Sequence, residues 1–138
     1  MSREDTMKTY SLNLELKGLT FPEALDRTRK ALATQGFGIP VEMDTQSLFK
    51  QKLGKDSPSR VILGACLAAV AFEALDQEPD IAVLLPCNVV VREIDGGCEV
   101  STVSPRSLFS LVKNVDPALA DIVETKLKLV LRELSEQS

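Results

Sequence analysis

The sequence of 138 residues contains no histidine and no tryptophan, and it has only three cysteines. Without histidine, a Ser-His-Asp or Cys-His arrangement cannot form within one chain, and the commonest metal ligand is missing. The sequence also has no C-x-x-C, P-loop or G-x-G-x-x-G motif. We therefore expect no catalytic set, no resident metal and no cofactor.

Long hydrophobic runs and an excess of positive charge are also missing. The longest apolar stretches, around 61–75 and 81–91, are broken by charged residues and proline, and neither reaches the roughly 20 residues that span a bilayer. The net charge is −4, and the isoelectric point is about 4.9. Because an acidic surface repels phosphate backbones, we expect neither nucleic acid nor a membrane as partner.

The few cysteines indicate the compartment. Cys66, Cys87 and Cys98 are odd in number and widely spaced, which does not suggest a disulfide framework. Free thiols fit a reducing environment, so the sequence predicts a cytoplasmic protein.

The composition is that of one globular domain. Hydrophobic residues make up 44% of the chain and charged residues 26%, which is enough apolar material for a core without disulfides or a metal. We predict a disordered or frayed N-terminus over residues 1–7 and a single domain over residues 8–135.

Alternating apolar residues predict several strands. In the first strand, Tyr10, Leu12, Leu14 and Leu16 share one face. The turn Asp95-Gly96-Gly97 predicts a β-hairpin in the second half of the chain. Further strands are predicted over 37–43, 60–65, 81–85, 87–92 and 98–103. Because Pro40 cannot donate a hydrogen bond to a neighbouring strand, the strand at 37–43 is predicted to be an edge strand or to carry a bulge there.

Helical signals lie between the strands. Thr20 and Glu23 have the spacing of a capping box, and Asp116-Pro117 opens the longest helix. An alanine-rich apolar stretch at 68–75 predicts a largely buried helix. The order β-α-β-α-β-α-β-β-α predicts an α+β fold in which a twisted, mostly antiparallel sheet of about five strands carries helices on one face.

Two segments resemble a known family. They are Ile62-Leu63-Gly64-Ala65-Cys66 and Leu84-Leu85-Pro86-Cys87-Asn88, and they are similar to the domain-of-unknown-function family 302 (DUF302). The similarity extends from about Tyr10 to Leu134. It implies a compact α+β domain like the TATA-binding-protein class and a homodimer, but it implies no reaction.

The chain departs from the family pattern at two places. Leu67-Ala68 stands where the family usually has asparagine and proline, and Leu67 cannot cap a helix with its side chain. Ser104 stands where the family often has an acidic residue. A family function that depends on those positions would be lost in this chain.

Cys66 is the most interesting residue for function and a weak candidate for catalysis. It lies where a predicted strand ends and a helix begins, and a thiol at a helix N-terminus can have a lowered pKa. Its turn can also present backbone N–H groups to an anion. Burial of the cysteines as small apolar residues, and a packing role for the glycine, are the alternatives. The predicted ligand-binding residues are Gly64, Cys66, Pro86 and Cys87.

The function remains open between different classes. The preferred prediction is a homodimeric, non-catalytic module that binds a small molecule or a protein partner near Cys66 and Cys87. Leu129 and Leu131 widen the apolar stripe of the last helix and suggest a dimer surface. The alternative is a thiol-dependent enzyme or redox sensor in which Cys87 resolves Cys66. A transient metal site from these thiols and a carboxylate, and an acid–base role for Glu73, are further possibilities.

Overall fold

The protein is an α+β domain, as the sequence predicts. The computed structural model describes residues 5–7 and 10–137. The strands are β1 (Asp5–Met7), β2 (Ser11–Lys17), β3 (Gly38–Asp44), β4 (Arg60–Cys66), β5 (Cys87–Ile94) and β6 (Gly97–Val103). The helices are α1 (Phe21–Thr34), α2 (Thr45–Leu53), α3 (Ala68–Gln77), α4 (Pro105–Phe109) and α5 (Pro117–Gln137), with a 3-10 segment at Pro79–Leu84.

The six strands form one sheet in the order β1-β2-β6-β5-β4-β3. Each neighbouring pair is antiparallel. The sequence predicted about five strands and a frayed segment over residues 1–7, whereas Asp5–Met7 pairs with β2 as the additional strand. Residues 1–4 lie outside the described residues.

One face of the sheet forms the core. The register aligns a row of four residues on this face, Leu14, Val100, Val91 and Val61. All four are buried. Helices α1 and α5 pack against the sheet through β2, β5 and β6. The long helix contributes the predicted stripe of Leu119, Val123, Leu127, Val130 and Leu134, and every member is buried.

The helix starts follow the sequence signals. Thr20 Oγ1 accepts a hydrogen bond from the Glu23 N–H at 3.3 Å, and Glu23 Oε1 accepts one from the Thr20 N–H at 3.0 Å. This is the predicted capping box. The Thr20 N–H stabilises the carboxylate and so lowers the pKa of Glu23. Asp44 caps α2 in the same way, by accepting a hydrogen bond from the Ser47 N–H at 3.0 Å.

The edge strand β3 contains Pro40, as the sequence predicts. Its pairing with β4 shifts register between Gly38 and Val41. Proline has no N–H to donate to a sheet, so both an edge position and a bulge accommodate it. Here both occur together.

Two predictions for the middle of the chain are wrong. Residues 81–85 form no strand, because Pro79 begins a 3-10 segment in which Glu78 accepts a hydrogen bond from the Asp80 N–H. Helix α3 is not largely buried, since Ala74 is its one buried residue. Its aromatic side chain, Phe72, is 75% exposed.

Two smaller predictions also fail. Tyr10 lies before β2 and is exposed, so it does not share the buried face of Leu12. Leu131 is buried in the core and cannot belong to an external surface, whereas Leu129 stays partly exposed. The apolar band of α5 is wide because it packs against both the sheet and α4.

Candidate functional site

Cys66 and Cys87 lie next to each other in the sheet. The pairing of β4 with β5 places Ala65 opposite Cys87, and Cys66 follows at the end of β4. Both cysteines line the same cavity, together with apolar residues that include Leu67 and Val70. The structure therefore brings together these two residues of the predicted ligand-binding set.

The cavity is small. Its volume is about 20 Å³, which is close to the space that one water molecule requires. The residues that line it carry no charged side chain. Leu67, the N-cap residue of α3, makes no capping hydrogen bond with its side chain. An anion at this helix start would find no cation among the residues that line the cavity.

Burial governs the chemistry of the thiols. Desolvation, with a smaller contribution from Cys66, raises the pKa of Cys87 to about 11. A thiol with this pKa stays protonated at neutral pH and is a poor nucleophile. Cys98 lies elsewhere in the core, where its Sγ donates to the Leu19 carbonyl at 3.6 Å, and burial raises its pKa as well.

Pro86 packs closely against Gly64 of β4. A Cβ at Gly64 would lie 2.7 Å from Pro86 Cγ and 3.2 Å from Val41 Cβ, so any larger residue would displace its neighbours. This favours the packing alternative for the glycine. Gly64 contributes to the candidate site by allowing Pro86 to lie directly over β4.

An open groove lies on the other side of Pro86. Its volume is about 270 Å³. Leu85 and Pro86 line both the groove and the small cavity, so this short segment lies between the two spaces. The groove is lined by Val83, Leu84, Leu85, Pro86, Asn88, Val103 and Leu108. Six of these residues are apolar, and Asn88 adds one amide that can donate and accept hydrogen bonds.

Sequence reasoning missed the groove because it treated residues 81–85 as a strand. A strand would have placed Val83 and Leu84 within the sheet, whereas the 3-10 segment carries them out to the rim. Val83 is 85% exposed. The signal that was available is Glu78-Pro79, a capping side chain followed by proline at the first helical position.

A buried carboxylate was also missed. Glu124 of α5 is 2% exposed and accepts hydrogen bonds from Ser104 Oγ at 2.8 Å and from the Arg106 N–H at 3.1 Å. Its position three residues before Leu127, on the edge of the apolar stripe, is the sequence signal for it. Ser104 also caps α4, so this departure from the family pattern has a structural role here.

The remaining candidates find less support. Glu73 is exposed on α3, so the structure does not bury its carboxylate. Within residues 5–7 and 10–137, no group of three or more Cys, Asp or Glu side chains lies close enough to hold a metal ion. Among the described helices, none is long and apolar enough to cross a membrane.

Comparison with known proteins identifies relatives of this fold. The family model described as "Domain of unknown function DUF302" matches residues 12–134. A crystal structure of an uncharacterized conserved DUF302 protein from Bacillus stearothermophilus is similar, with a TM-score of 0.76 and 24% sequence identity. The match covers 91% of this chain and 96% of that one, and at this identity it shows the fold alone. No curated protein matches the sequence.

Proposed function

The chain belongs to the DUF302 family, and we propose that it is a non-catalytic, homodimeric binding module that holds a small apolar ligand in the groove at Leu85–Pro86. The observation that carries this proposal is the groove's lining of six apolar side chains and one amide. Small-molecule sites are typically concave and mostly apolar, with few polar groups that fix orientation. The groove has this chemistry.

The volume of the groove limits the size of the ligand that it can hold. About 270 Å³ lies just below the usual range of drug-sized sites, so the ligand is a compact molecule. Asn88 would fix a hydroxyl, carbonyl or carboxyl group, while Val83 and Leu108 contact the hydrocarbon part. A segment of a protein partner is the alternative occupant, and the shortness of the groove makes it the weaker one.

The predicted ligand-binding residues lie in the wall of the groove or next to it. Pro86 forms part of its wall, Gly64 leaves room for Pro86, and Cys66 and Cys87 line the small cavity that also contacts Pro86. A thiol-dependent enzyme or redox sensor using Cys66 with Cys87 is less supported, because the pKa of Cys87 is raised to about 11. The proposal includes a cytoplasmic location, which three free cysteines favour.

The groove can be tested with variants that spare the fold. Because Val83 is 85% exposed, Val83→Lys changes the rim without removing core packing. Leu53→Lys is the matched control, since Leu53 is 62% exposed on α2 and does not line the groove. The probe is the uncharged fluorescent apolar dye N-phenyl-1-naphthylamine, displaced by octanol, octanoate and hexanamide.

We expect the wild type and Leu53→Lys to bind the dye and to release it to at least one of the three competitors. Val83→Lys should bind more weakly by about tenfold, which corresponds to roughly 1.4 kcal/mol. Asn88→Ala should weaken the binding of all three competitors, each of which carries a polar group, more than it weakens the binding of the dye. If none of the compounds binds, or if Val83→Lys and Leu53→Lys behave alike, the groove is not the site.

A further inference from the structure

The face of the sheet opposite α1 and α5 carries an ordered row of charges. Across β4, β5, β6 and β2, the register aligns in turn Arg60, Arg92, Glu99 and Glu15. These four strands are the central ones of the six-stranded sheet. The row therefore changes from positive to negative at the middle of the sheet, between β5 and β6.

The inner charges of the row pair with each other, and the outer ones do not. Arg92 Nε donates to Glu99 Oε1 at 3.0 Å, and Nη2 lies 2.9 Å from the same oxygen. In the part of the chain that the structure describes, the side chains of Arg60 and Glu15 have neither a hydrogen bond nor an ion pair. Each instead lies beside a residue of its own charge, an arrangement that disfavours the sheet.

We propose that a second copy of this chain covers this face of the sheet. The two copies would be related by a two-fold axis that lies between the sheets, runs parallel to the strands and passes between β5 and β6. Rotation about this axis places Arg60 of each copy opposite Glu15 of the partner subunit. The contact is isologous, so the same pairing occurs twice. The inference rests on the proposed homodimer and names its interface.

The area of this face limits the size of the interface. Five strands are about seven residues long and β1 has three, so a spacing of about 4.8 Å between strands and about 3.3 Å per residue gives roughly 600 Å² per copy. Because Pro86 already lies over Gly64 on this face, the total open to two copies stays below about 1,200 Å², the lower end of stable interfaces, and charge pairing is the main support for the proposal. Met43, Ile62 and Val90 supply partly exposed apolar surface on this face.

The polar side chains on this face can be covered without loss of hydrogen bonds. Ser11 Oγ donates to Asn13 Oδ1 at 2.9 Å, and Asn13 Nδ2 donates to Ser101 Oγ at 2.7 Å. Ser101 Oγ donates in turn to Glu99 Oε1 at 3.3 Å. Because these groups already satisfy one another, a second copy would not leave them unpaired.

Charge reversal provides a test that depends on geometry. Arg60→Glu would bring two pairs of like charges together in its own homodimer, and so would Glu15→Arg. An equal mixture of the two variants would restore both ion pairs in the heterodimer. The masses are measured by analytical ultracentrifugation, and the heterodimer is identified by native mass spectrometry. Lys30→Glu, an exposed reversal on α1, is the control.

We expect a dimer for the wild type and for Lys30→Glu. Each single reversal should weaken dimerisation by roughly tenfold or more, and the mixture should form a heterodimer of near wild-type affinity. If the wild type is a dimer and neither reversal dissociates it, this interface is disproved but the proposed homodimer is not. Reversals that dissociate the dimer without recovery in the mixture would also overturn it. A monomeric wild type would reject the homodimer itself, but not the ligand groove.

Discussion

Ser104 Oγ donates a hydrogen bond of 2.8 Å to Glu124 Oε1, so the residue that caps α4 is also bound to a buried carboxylate of α5. The Arg106 N–H donates to the same oxygen at 3.1 Å. Arg106 Nη1 and Lys128 Nζ lie 3.7 and 3.8 Å from Oε2. A single carboxylate therefore connects the start of one helix to the middle of another.

Removal of this carboxylate should destabilise the protein. Glu124→Ala leaves the Ser104 hydroxyl and the Arg106 N–H without their acceptor, and we expect the free energy of unfolding to fall by about 3 kcal/mol. Glu124→Gln keeps an oxygen acceptor and should cost less than half as much. Urea denaturation measures both changes.

The control for this prediction is Glu136→Ala on the same helix. Glu136 is exposed and pairs with Arg132 at 3.8 Å on the surface, so its loss should cost no more than about 0.5 kcal/mol. Equal effects at Glu124 and Glu136 would mean that the buried hydrogen bonds add nothing to stability.

Replacement of Gly64 should disturb the candidate site. Gly64→Ala places a Cβ within 2.7 Å of Pro86 Cγ, and we expect a loss of about 1 to 3 kcal/mol in stability together with weaker dye binding in the groove. Gly38→Ala is the matched control on the neighbouring strand, where the nearest atom would be 4.0 Å away. Calorimetric melting and dye titration report the two effects. Comparable behaviour of the two variants would contradict the role assigned to Gly64.

The raised pKa of Cys87 predicts a loss of stability in alkaline solution. The folded protein holds this thiol proton with a pKa of about 11, against an ordinary thiol pKa of 9.0 in the unfolded chain. The resulting stabilisation is present below about pH 9 and is lost as the pH rises through about 11. A shift of this size corresponds to roughly 2 to 3 kcal/mol.

Comparison with Cys87→Ala isolates this contribution, because Cys98 and the other groups are common to both proteins. We expect urea denaturation at pH 9 and pH 11 to show a larger fall in the free energy of unfolding for the wild type than for Cys87→Ala. Native-state alkylation should likewise modify Cys87 slowly at neutral pH. If the free energy of unfolding falls equally in the two proteins between pH 9 and pH 11, the burial of Cys87 does not raise its pKa.

Exposure separates two hydrophobic residues that look alike in sequence. Phe72→Ser on α3 should change the free energy of unfolding by no more than about 0.5 kcal/mol, because the ring is 75% exposed. Leu63→Ala, at a fully buried position of β4, should cost about 2 to 5 kcal/mol. Thermal or chemical unfolding measures both. A large loss for Phe72→Ser would mean that this ring is covered, for example by a partner.

The sequence was most informative where a local pattern determines the structure. The capping box at Thr20, the proline at the β3 edge and the Asp95-Gly96 hairpin depend on neighbouring residues alone, and all were predicted correctly. Helix α3 was misjudged because apolar composition does not show how much of a helix the rest of the fold covers. The groove was missed because residues 81–85 were predicted as a strand, and because Leu85 and Leu108, which both line it, lie far apart in the sequence.

The bulge and Pro40 on β3 determine how the sheet can meet other molecules. A strand from elsewhere that approached this border would find no N–H at Pro40 and a shifted register beside it. Backbone-mediated growth of the sheet, the first step toward fibrils, is hindered on that side. Binding at this edge must therefore depend on side chains, which mutation can change one at a time. It cannot depend on the main chain, which would accept any extended peptide.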